Sequence, residues 1–459
     1  MTDEKDTWRS EAGKVLALAW PVMLSSLSWT LMQLTDVVVI GQAGTYEVAA
    51  FGASRTLTFI AIVAGMAFLS GVLVNVSRAD GAGKPEASGT YLREGIALAL
   101  LSSLIIGAVL TLFGDALLRW IGVEASLIPL TGKVVWIMGL VIPVQMMAMP
   151  FGSFLQAIGR PRRTLAINCI TLPLNAVLAW AWAGGHLGFS PMGAVGASWA
   201  TLVASCVGLV LTIASCWFLD EARLRQVRRI GLIDWTSAVR GVPALAWFGT
   251  VPAIASALEL GGFSWVMAKS TQMGLVASHA FQIVMSLHNV TFGFAMGFGA
   301  AAGVRVGNAV GAGQRQVAWQ RTIIAGGLAT VLIGVLAVIL VILAKPLLAL
   351  YPATDPVRFM AATMLIIWAP FMAMDGLQLV GSYALRSLGD QVISGVNSII
   401  AFFFITIGVG MWLIHIGIGP MALIWAVGIG MLACAILQFA RLWWIRDRRE
   451  PAGLSVSPA

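Results

Sequence analysis

Twelve apolar runs, each long enough to cross a lipid bilayer as a helix, constrain this chain more than any other feature of its sequence. A spanning α-helix needs about 20 predominantly apolar residues, because the hydrocarbon core offers no water to the backbone. Short polar loops separate the runs, and only 10% of the 459 residues are charged. The sequence therefore predicts an all-α integral membrane protein with twelve transmembrane helices and no sizeable water-soluble domain.

The basic residues are distributed unevenly between alternate loops. If the N-terminus, the even-numbered loops and the C-terminus share one side, that side carries 22 of the 28 Lys and Arg residues. By the positive-inside rule, both termini are expected in the cytoplasm and the protein in the cytoplasmic (inner) membrane. Because topology accounts for the basic runs, we predict a lipid bilayer as the protein's surroundings and no nucleic-acid partner.

The second half of the chain repeats motifs of the first half at an offset of about 230 residues. His186-Leu-Gly-Phe-Ser-Pro-Met192 recurs as His415-Ile-Gly-Ile-Gly-Pro-Met421, and Gly81-Ala-Gly83 recurs as Gly311-Ala-Gly313. The repeated unit has six spans, so both copies enter the membrane from the same side and the repeat is parallel. This organisation is typical of transporters that work by alternating access. The predicted parts are an N-terminal six-helix lobe (1–219), a basic cytoplasmic linker (220–240) and a C-terminal six-helix lobe with a short cytoplasmic tail (241–459).

Three acidic residues stand apart from the other seventeen because they lie inside apolar spans: Asp36 in the first, Glu259 in the seventh and Asp375 in the tenth. An ionised carboxylate at bilayer depth costs at least about 2.5 kcal/mol, so three of them indicate a cavity or an ion pathway. Gln33 and Gln378 lie one helical turn from Asp36 and Asp375 and extend a polar stripe on each helix. The alternative is that these acids only hydrogen-bond neighbouring helices.

Other polar residues in the spans are weaker candidates for substrate binding or support. Asn175 lies in the fifth span, Gln282 in the eighth and Tyr383 in the tenth. An uncharged polar group in a membrane helix often joins two helices rather than binding a ligand.

Motifs of soluble enzymes are absent from the sequence. Gly81-Ala-Gly83-Lys84 is followed by Pro85, which lacks the hydroxyl that a phosphate-binding loop uses for Mg²⁺. The motifs HExxH, GxSxG and GxGD do not occur. We therefore predict a protein that is not an enzyme, has no cofactor and draws energy from an ion gradient or from the gradient of the substrate itself. An intramembrane hydrolase with Asp36 and Asp375 as a carboxylate pair is the rival from another functional class.

Three motifs resemble signatures of the multidrug and toxic-compound extrusion (MATE) family. The motifs are Gln33-Leu-Thr-Asp36-Val-Val-Val-Ile-Gly41 in the first span, Val304-Arg-Val-Gly307 after the eighth, and Asp375-Gly-Leu-Gln378 with Ala384-Leu-Arg386-Ser-Leu-Gly389 in the tenth. The resemblance extends over nearly the whole chain and is closest to the NorM-type branch. In the fifth span, Asn168 and Asn175 stand where the DinF-type branch usually carries an acid.

The resemblance implies an antiporter that exports lipophilic or cationic small organic compounds in exchange for H⁺ or Na⁺. Asp36, Glu259 and Asp375 match the family's cation-coupling positions, and Glu259 with Asp375 are the candidate Na⁺ ligands. The expected protein is monomeric. The rival within transport is a flippase for a lipid-linked precursor, which would favour a cationic cavity, whereas the intramembrane charges of this sequence are all acidic.

Overall fold

The computed structural model describes residues 8–229 and 231–446. Within these ranges twelve helices are long and apolar enough to cross a membrane, and no β-strand occurs. The predicted number of spans and the all-α fold class are therefore confirmed. The two tails assigned to the cytoplasm, residues 1–7 and 447–459, lie outside the described residues. The spans are α1 (Trp8–Ala43), α2 (Thr45–Gly81), α3 (Pro85–Trp120), α4 (Ile128–Ala157), α5 (Pro161–Ala183), α6 (Gly193–Trp217), α7 (Ile233–Gln272), α8 (Leu275–Gly311), α9 (Arg315–Ile342), α10 (Asp355–Ser387), α11 (Gln391–His415) and α12 (Met421–Ile445).

Proline and glycine mark the ends of several spans. Proline occupies the first or second position of α3, α4, α5 and α10, where its fixed φ suits a helix start and its missing N–H costs no hydrogen bond. Gly83 and Gly313 have φ values of +69° and +72° in the turns after α2 and α8. Glycine adopts this left-handed conformation without strain, so the repeated Gly-Ala-Gly motif ends both helices in the same way.

The spans leave large apolar side chains on the outside of the protein. On α3, for example, Ile105, Leu112 and Phe113 are each more than half exposed. Such surfaces are stable when lipid covers them, because lipid tails are as apolar as these side chains. Together with the twelve spans, they define a multi-pass membrane protein.

Two spans depart from a regular α-helix. Helix α2 consists of Thr45–Phe68 and Gly71–Gly81, with a turn at Leu69 and Ser70 between them. Helix α11 contains a π-helical segment, Ile399–Ile405, and the Thr406 hydroxyl donates a 3.1 Å hydrogen bond to the carbonyl oxygen of Ala401. Segments of π-helix within α-helices are frequent at functional sites.

The chain divides into two compact units. The N-terminal unit consists of Leu27–Val76 and Lys84–Ala253, and its core includes Ile40 and Val134. The C-terminal unit consists of the described residues up to Ser26, the segment Ser77–Gly83 and the described residues from Ile254 onward. Trp368 is fully buried in its core. The lobe boundaries at residues 219 and 241, drawn from the sequence repeat, stay a prediction.

Glycines permit a close helix crossing in the C-terminal unit. A side-chain carbon on Gly81 would meet the backbone of Asn308, and one on Gly311 would meet the carbonyl oxygen of Arg78. The contact is therefore reciprocal between the ends of α2 and α8. Asn308 strengthens it by donating its side-chain Nδ2 hydrogen to the carbonyl oxygen of Ser77, at 2.9 Å.

The first turn of α1 is fixed to the C-terminal unit by a buried carboxylate. The Glu11 side chain is only 3% exposed and accepts two hydrogen bonds from Arg305, at 2.6 Å to Oε1 and 2.5 Å to Oε2. Arg321 Nε lies 3.4 Å from Glu11 Oε1, and Arg321 Nη1 donates to the carbonyl oxygen of Arg305 at 2.9 Å. A bidentate arginine–carboxylate pair adds geometric specificity as well as energy.

Candidate cation and substrate sites

The N-terminal unit contains a cavity with about 530 Å³ of empty space, part of it open solvent. Helices α1 and α2 contribute most of its wall, and Asp36 and Gln33 are both part of it. These two sequence-predicted residues therefore share one site. The lining residues are Trp29, Met32, Gln33, Asp36, Phe51, Ser54, Arg55, Thr58, Phe59, Ile62, Met138, Gln145 and Thr201.

Asp36 shares the cavity with a cation, Arg55. Asp36 is 4% exposed, and its Oδ1 atom has no hydrogen-bond partner. Arg55 interacts with Asp36 electrostatically, but no ion pair joins the two side chains in the described structure. The expectation that the intramembrane charges are all acidic is therefore wrong, because Arg55 on α2 faces the same cavity as Asp36.

Aromatic rings provide the apolar part of this cavity. The rings of Trp29 and Phe59 stack with their centroids 5.9 Å apart and their planes 14° from parallel. Phe51 also lines the cavity. Flat apolar walls beside one anionic and one cationic group suit an amphipathic organic molecule with an aromatic portion.

Asn175 lies just behind the cavity wall. It is fully buried, and its Nδ2 atom donates a 3.3 Å hydrogen bond to the hydroxyl of Thr201, which lines the cavity. Its Oδ1 atom has no hydrogen-bond partner. Asn175 is therefore placed to orient Thr201 rather than to form the wall itself.

Asp375 is the buried carboxylate of the C-terminal unit. It is 2% exposed, and its Oδ1 atom accepts a 3.0 Å hydrogen bond from Nε2 of Gln378, one turn along α10. Its Oδ2 atom is buried and has no hydrogen-bond partner. The nearest charged or titratable nitrogen is Nε2 of His288 on α8, 3.7 Å from Oδ2.

His288 is held between aromatic and hydroxyl groups. The indole N–H of Trp368 donates to His288 Nδ1 at 3.4 Å, and the two rings meet edge to face with centroids 5.2 Å apart. The Thr291 hydroxyl lies 3.3 Å from the same Nδ1 atom and donates to the His288 carbonyl oxygen at 2.8 Å. With His288 itself 5% exposed, the imidazole is fixed in place beside Asp375.

Glu259 and Tyr383 both interact electrostatically with Arg386. Glu259 on α7 is partly exposed and interacts with both Asp375 and Arg386. The Arg386 guanidinium lies over the Tyr383 ring, 5.6 Å from its centroid. Gln282, in contrast, is exposed on α8 and has Ser278, one turn away, as its hydrogen-bond partner. The structure thus places Glu259, Asp375, Gln378 and Tyr383 in one region and shows no contact of Gln282 with them.

A buried polar network extends from Asp375 toward the π-helical part of α11. Gln378 accepts a hydrogen bond from the thiol of Cys434 at 3.5 Å, and Cys434 also contacts Ser398. Gln438 donates to the carbonyl oxygen of Ser394 at 3.0 Å. These side chains connect α10, α11 and α12, so a change at Asp375 has a hydrogen-bonded route to the irregular segment of α11.

Sequence reasoning missed Arg55 and His288 as site residues. Both are ionisable groups inside a span, which is the criterion that identified Asp36, Glu259 and Asp375. Applying that criterion to bases and histidines as well as acids would have found them. In the described ranges, no three His, Cys, Asp or Glu side chains come together in a way that could hold a metal ion.

Twelve spanning helices with carboxylates buried at bilayer depth are features of a secondary membrane transporter. The sequence model of the MatE family matches residues 21–181 and again residues 253–412. The chain therefore belongs to the MatE family, and the two matches confirm the internal repeat.

Related proteins resemble this chain over almost its full length. The multidrug resistance protein NorM of Burkholderia vietnamiensis is 30% identical, over 92% of this chain and 91% of that protein. A probable multidrug resistance protein NorM of Caulobacter vibrioides is 27% identical, over 95% of this chain and 92% of the relative. The crystal structure of the eukaryotic MATE transporter AtDTX14 superposes with a TM-score of 0.84 at 19% identity, covering 95% of this chain and 96% of that one. The predicted resemblance to this family is confirmed.

Proposed function

We propose that this protein is a cation-coupled antiporter that exports lipophilic or cationic small organic compounds by alternating access. Inward flow of H⁺ or Na⁺ would supply the energy, with Asp36, Glu259 and Asp375 as the coupling residues. The protein would act as a monomer in the cytoplasmic (inner) membrane with both termini in the cytoplasm. The relatives named as multidrug resistance proteins support the choice of substrate class.

One observation carries the proposal: carboxylate oxygens are buried in both units without a hydrogen-bond partner. These oxygens are Asp36 Oδ1 and Asp375 Oδ2. No ion pair with lysine or arginine is formed in the described structure by Asp36, Glu259 or Asp375. A buried acceptor without a partner is costly, so its retention favours a role in binding a transported species.

Coupling requires the ion and the compound to favour opposite arrangements of the protein. A ligand shifts an equilibrium only by its differential affinity for the two states. In this proposal Asp375 with Glu259 binds the ion in the C-terminal unit, and Asp36 is the coupling carboxylate of the N-terminal cavity, where Arg55 and the aromatic wall contact the compound. The energy available for export is then limited by the difference in ion affinity between the states.

The proposal is tested with purified protein in liposomes loaded with a fluorescent organic cation. Imposing a pH gradient and a Na⁺ gradient separately is expected to accelerate export with at least one of them, compared with the same liposomes without an ion gradient. Liposomes without protein provide the background. Loss of the compound at the background rate under both gradients would contradict the proposed function.

Arg55 gives a prediction about substrate choice. Arg55→Met removes a positive charge from the cavity that contains Asp36, so binding of a monovalent organic cation is expected to tighten by roughly fivefold, about 1 kcal/mol. A compound that carries a carboxylate is expected to bind more weakly. Binding of both compounds to purified protein is the measurement.

Arg119→Met is the matched control for this substitution, because Arg119 is exposed at the end of α3 and does not line the cavity. It removes the same charge from the protein as a whole. If Arg55→Met and Arg119→Met change the two affinities equally, Arg55 does not select the substrate. The same conclusion follows if Arg55→Met does not change the preference for the cation over the carboxylate compound.

A flippase for a lipid-linked precursor is the second candidate, and Arg55 is the observation that favours it. A cationic group in the cavity can bind a pyrophosphate head group. The liposome experiment separates the two functions, since a flippase would move the lipid-linked compound and leave the organic cation inside.

A further inference from the structure

The donor set around Asp375 does not fit Na⁺, although Asp375 is one of the two candidate Na⁺ ligands. Alkali and alkaline-earth cations are hard ions that take oxygen ligands. Both carboxylate oxygens of Asp375 instead face nitrogen donors. Gln378 Nε2 donates to Oδ1 at 3.0 Å, and His288 Nε2 lies 3.7 Å from Oδ2.

The hydrogen-bond partners of His288 determine which of its nitrogens bears a hydrogen. The Trp368 indole nitrogen can only donate, so His288 Nδ1 accepts, and in the neutral ring the hydrogen lies on Nε2. A charged imidazole carries a hydrogen on both nitrogens. Nε2–H therefore faces Oδ2 of Asp375 whether His288 is neutral or charged.

Two other side chains near Asp375, Gln378 and Glu259, also make the site unfavourable for Na⁺. The side-chain oxygen of Gln378 accepts from the Cys434 thiol at 3.5 Å. Glu259 interacts electrostatically with Asp375 and also with Arg386, whose positive charge opposes a second cation in this region. A Na⁺ ion at Oδ2 would therefore lie against the N–H group of a ring that Trp368 holds in place, and Gln378 turns its nitrogen rather than its oxygen toward Asp375.

We propose that His288 determines the ion selectivity of this site by excluding Na⁺ from Asp375. This inference rests on the proposed antiport function for its biological meaning, but it concerns ion binding and can be measured without transport. A group that repels a competitor is a common source of specificity. Export driven through Asp375 is then independent of Na⁺.

The test is equilibrium binding of radioactive Na⁺ to purified full-length protein. The wild-type protein is expected to show no saturable binding beyond that of Asp375→Asn. In His288→Gln the side-chain amide can rotate to present its oxygen where the imidazole N–H lay, and Na⁺ binding is expected to rise by about tenfold at a given Na⁺ concentration. The double variant His288→Gln/Asp375→Asn is expected to lose this gain.

His279→Gln is the matched control, since His279 lies on the same helix, is partly exposed and has no contact with Asp375 in the described structure. It is expected to bind as little Na⁺ as the wild-type protein. Saturable Na⁺ binding by the wild type that Asp375→Asn removes would overturn the proposal. So would a folded His288→Gln protein, verified by its elution volume and melting temperature, that gains no Na⁺ binding.

Even if His288→Gln does not fold, Na⁺ binding by the wild-type protein compared with Asp375→Asn still tests the exclusion of Na⁺ from Asp375. The proposed function fails separately, when the wild-type protein exports no compound under either gradient.

Discussion

A protein with Asp375→Asn is expected to lose uphill export of an organic cation while it still exchanges that compound across the membrane. Asparagine keeps the hydrogen bond that Oδ1 accepts from Gln378 but removes the ionisable group. Without a differential affinity for the ion, its gradient can no longer shift the equilibrium between the two states. A coupling free energy of about 1–3 kcal/mol corresponds to a factor of about 5–150, and this factor is expected to disappear.

The measurement is the concentration ratio of a fluorescent cation across proteoliposome membranes at steady state, together with exchange in the absence of a gradient. Asp355→Asn is the matched control, because Asp355 is on the same helix, is 97% exposed and is expected to keep the wild-type ratio. If Asp375→Asn protein sustained the full ratio, Asp375 would not be a coupling residue.

Glu11→Gln is expected to lower the stability of the folded protein more than any exposed charge substitution. It removes the negative charge with which Arg305 and Arg321 pair, and breaking a buried ion pair costs about 3–5 kcal/mol. A clear decrease of the melting temperature in detergent is the expected result. The substitution is not expected to change which compounds bind, because Glu11 does not line the cavity with Asp36.

The control for this prediction is Glu221→Gln. Glu221 also pairs with two arginines, Arg160 and Arg225, but its side chain is 43% exposed. Water reaches this carboxylate even though Arg225 is only 9% exposed, so a much smaller decrease of the melting temperature is expected than for Glu11→Gln. Equal melting temperatures for the two variants would show that burial of Glu11 has no energetic consequence.

The sequence predicted the fold because membrane helices leave a strong signal. A lipid-spanning segment must be continuously apolar, so the twelve spans could be counted directly. The irregular part of α11 could not be found, since Ile399–Ile405 consists only of apolar residues with no proline or glycine. Whether such a run forms an α-helix or a π-helix depends on packing against α12, which no local pattern expresses.

The candidate sites were predictable in part. Asp36 and Asp375 were recognised because a charge at bilayer depth is rare and costly. The position of Arg55 relative to Asp36 depends on how α1 and α2 rotate against each other, and the sequence does not determine that rotation. The pairing of His288 with Asp375 joins residues on α8 and α10, so their proximity arises from tertiary packing alone.

The reciprocal glycine contact has a consequence for splitting this protein into halves. A fragment that begins at residue 241 would contain Gly307 and Gly311 but lack Ser77–Gly83. Gly307 packs against the Ser77 side chain and Gly311 against the Arg78 backbone, both in the other fragment. The complementary fragment would contain that segment without its packing partner. Co-expressed halves would therefore have to reassociate to restore the crossing.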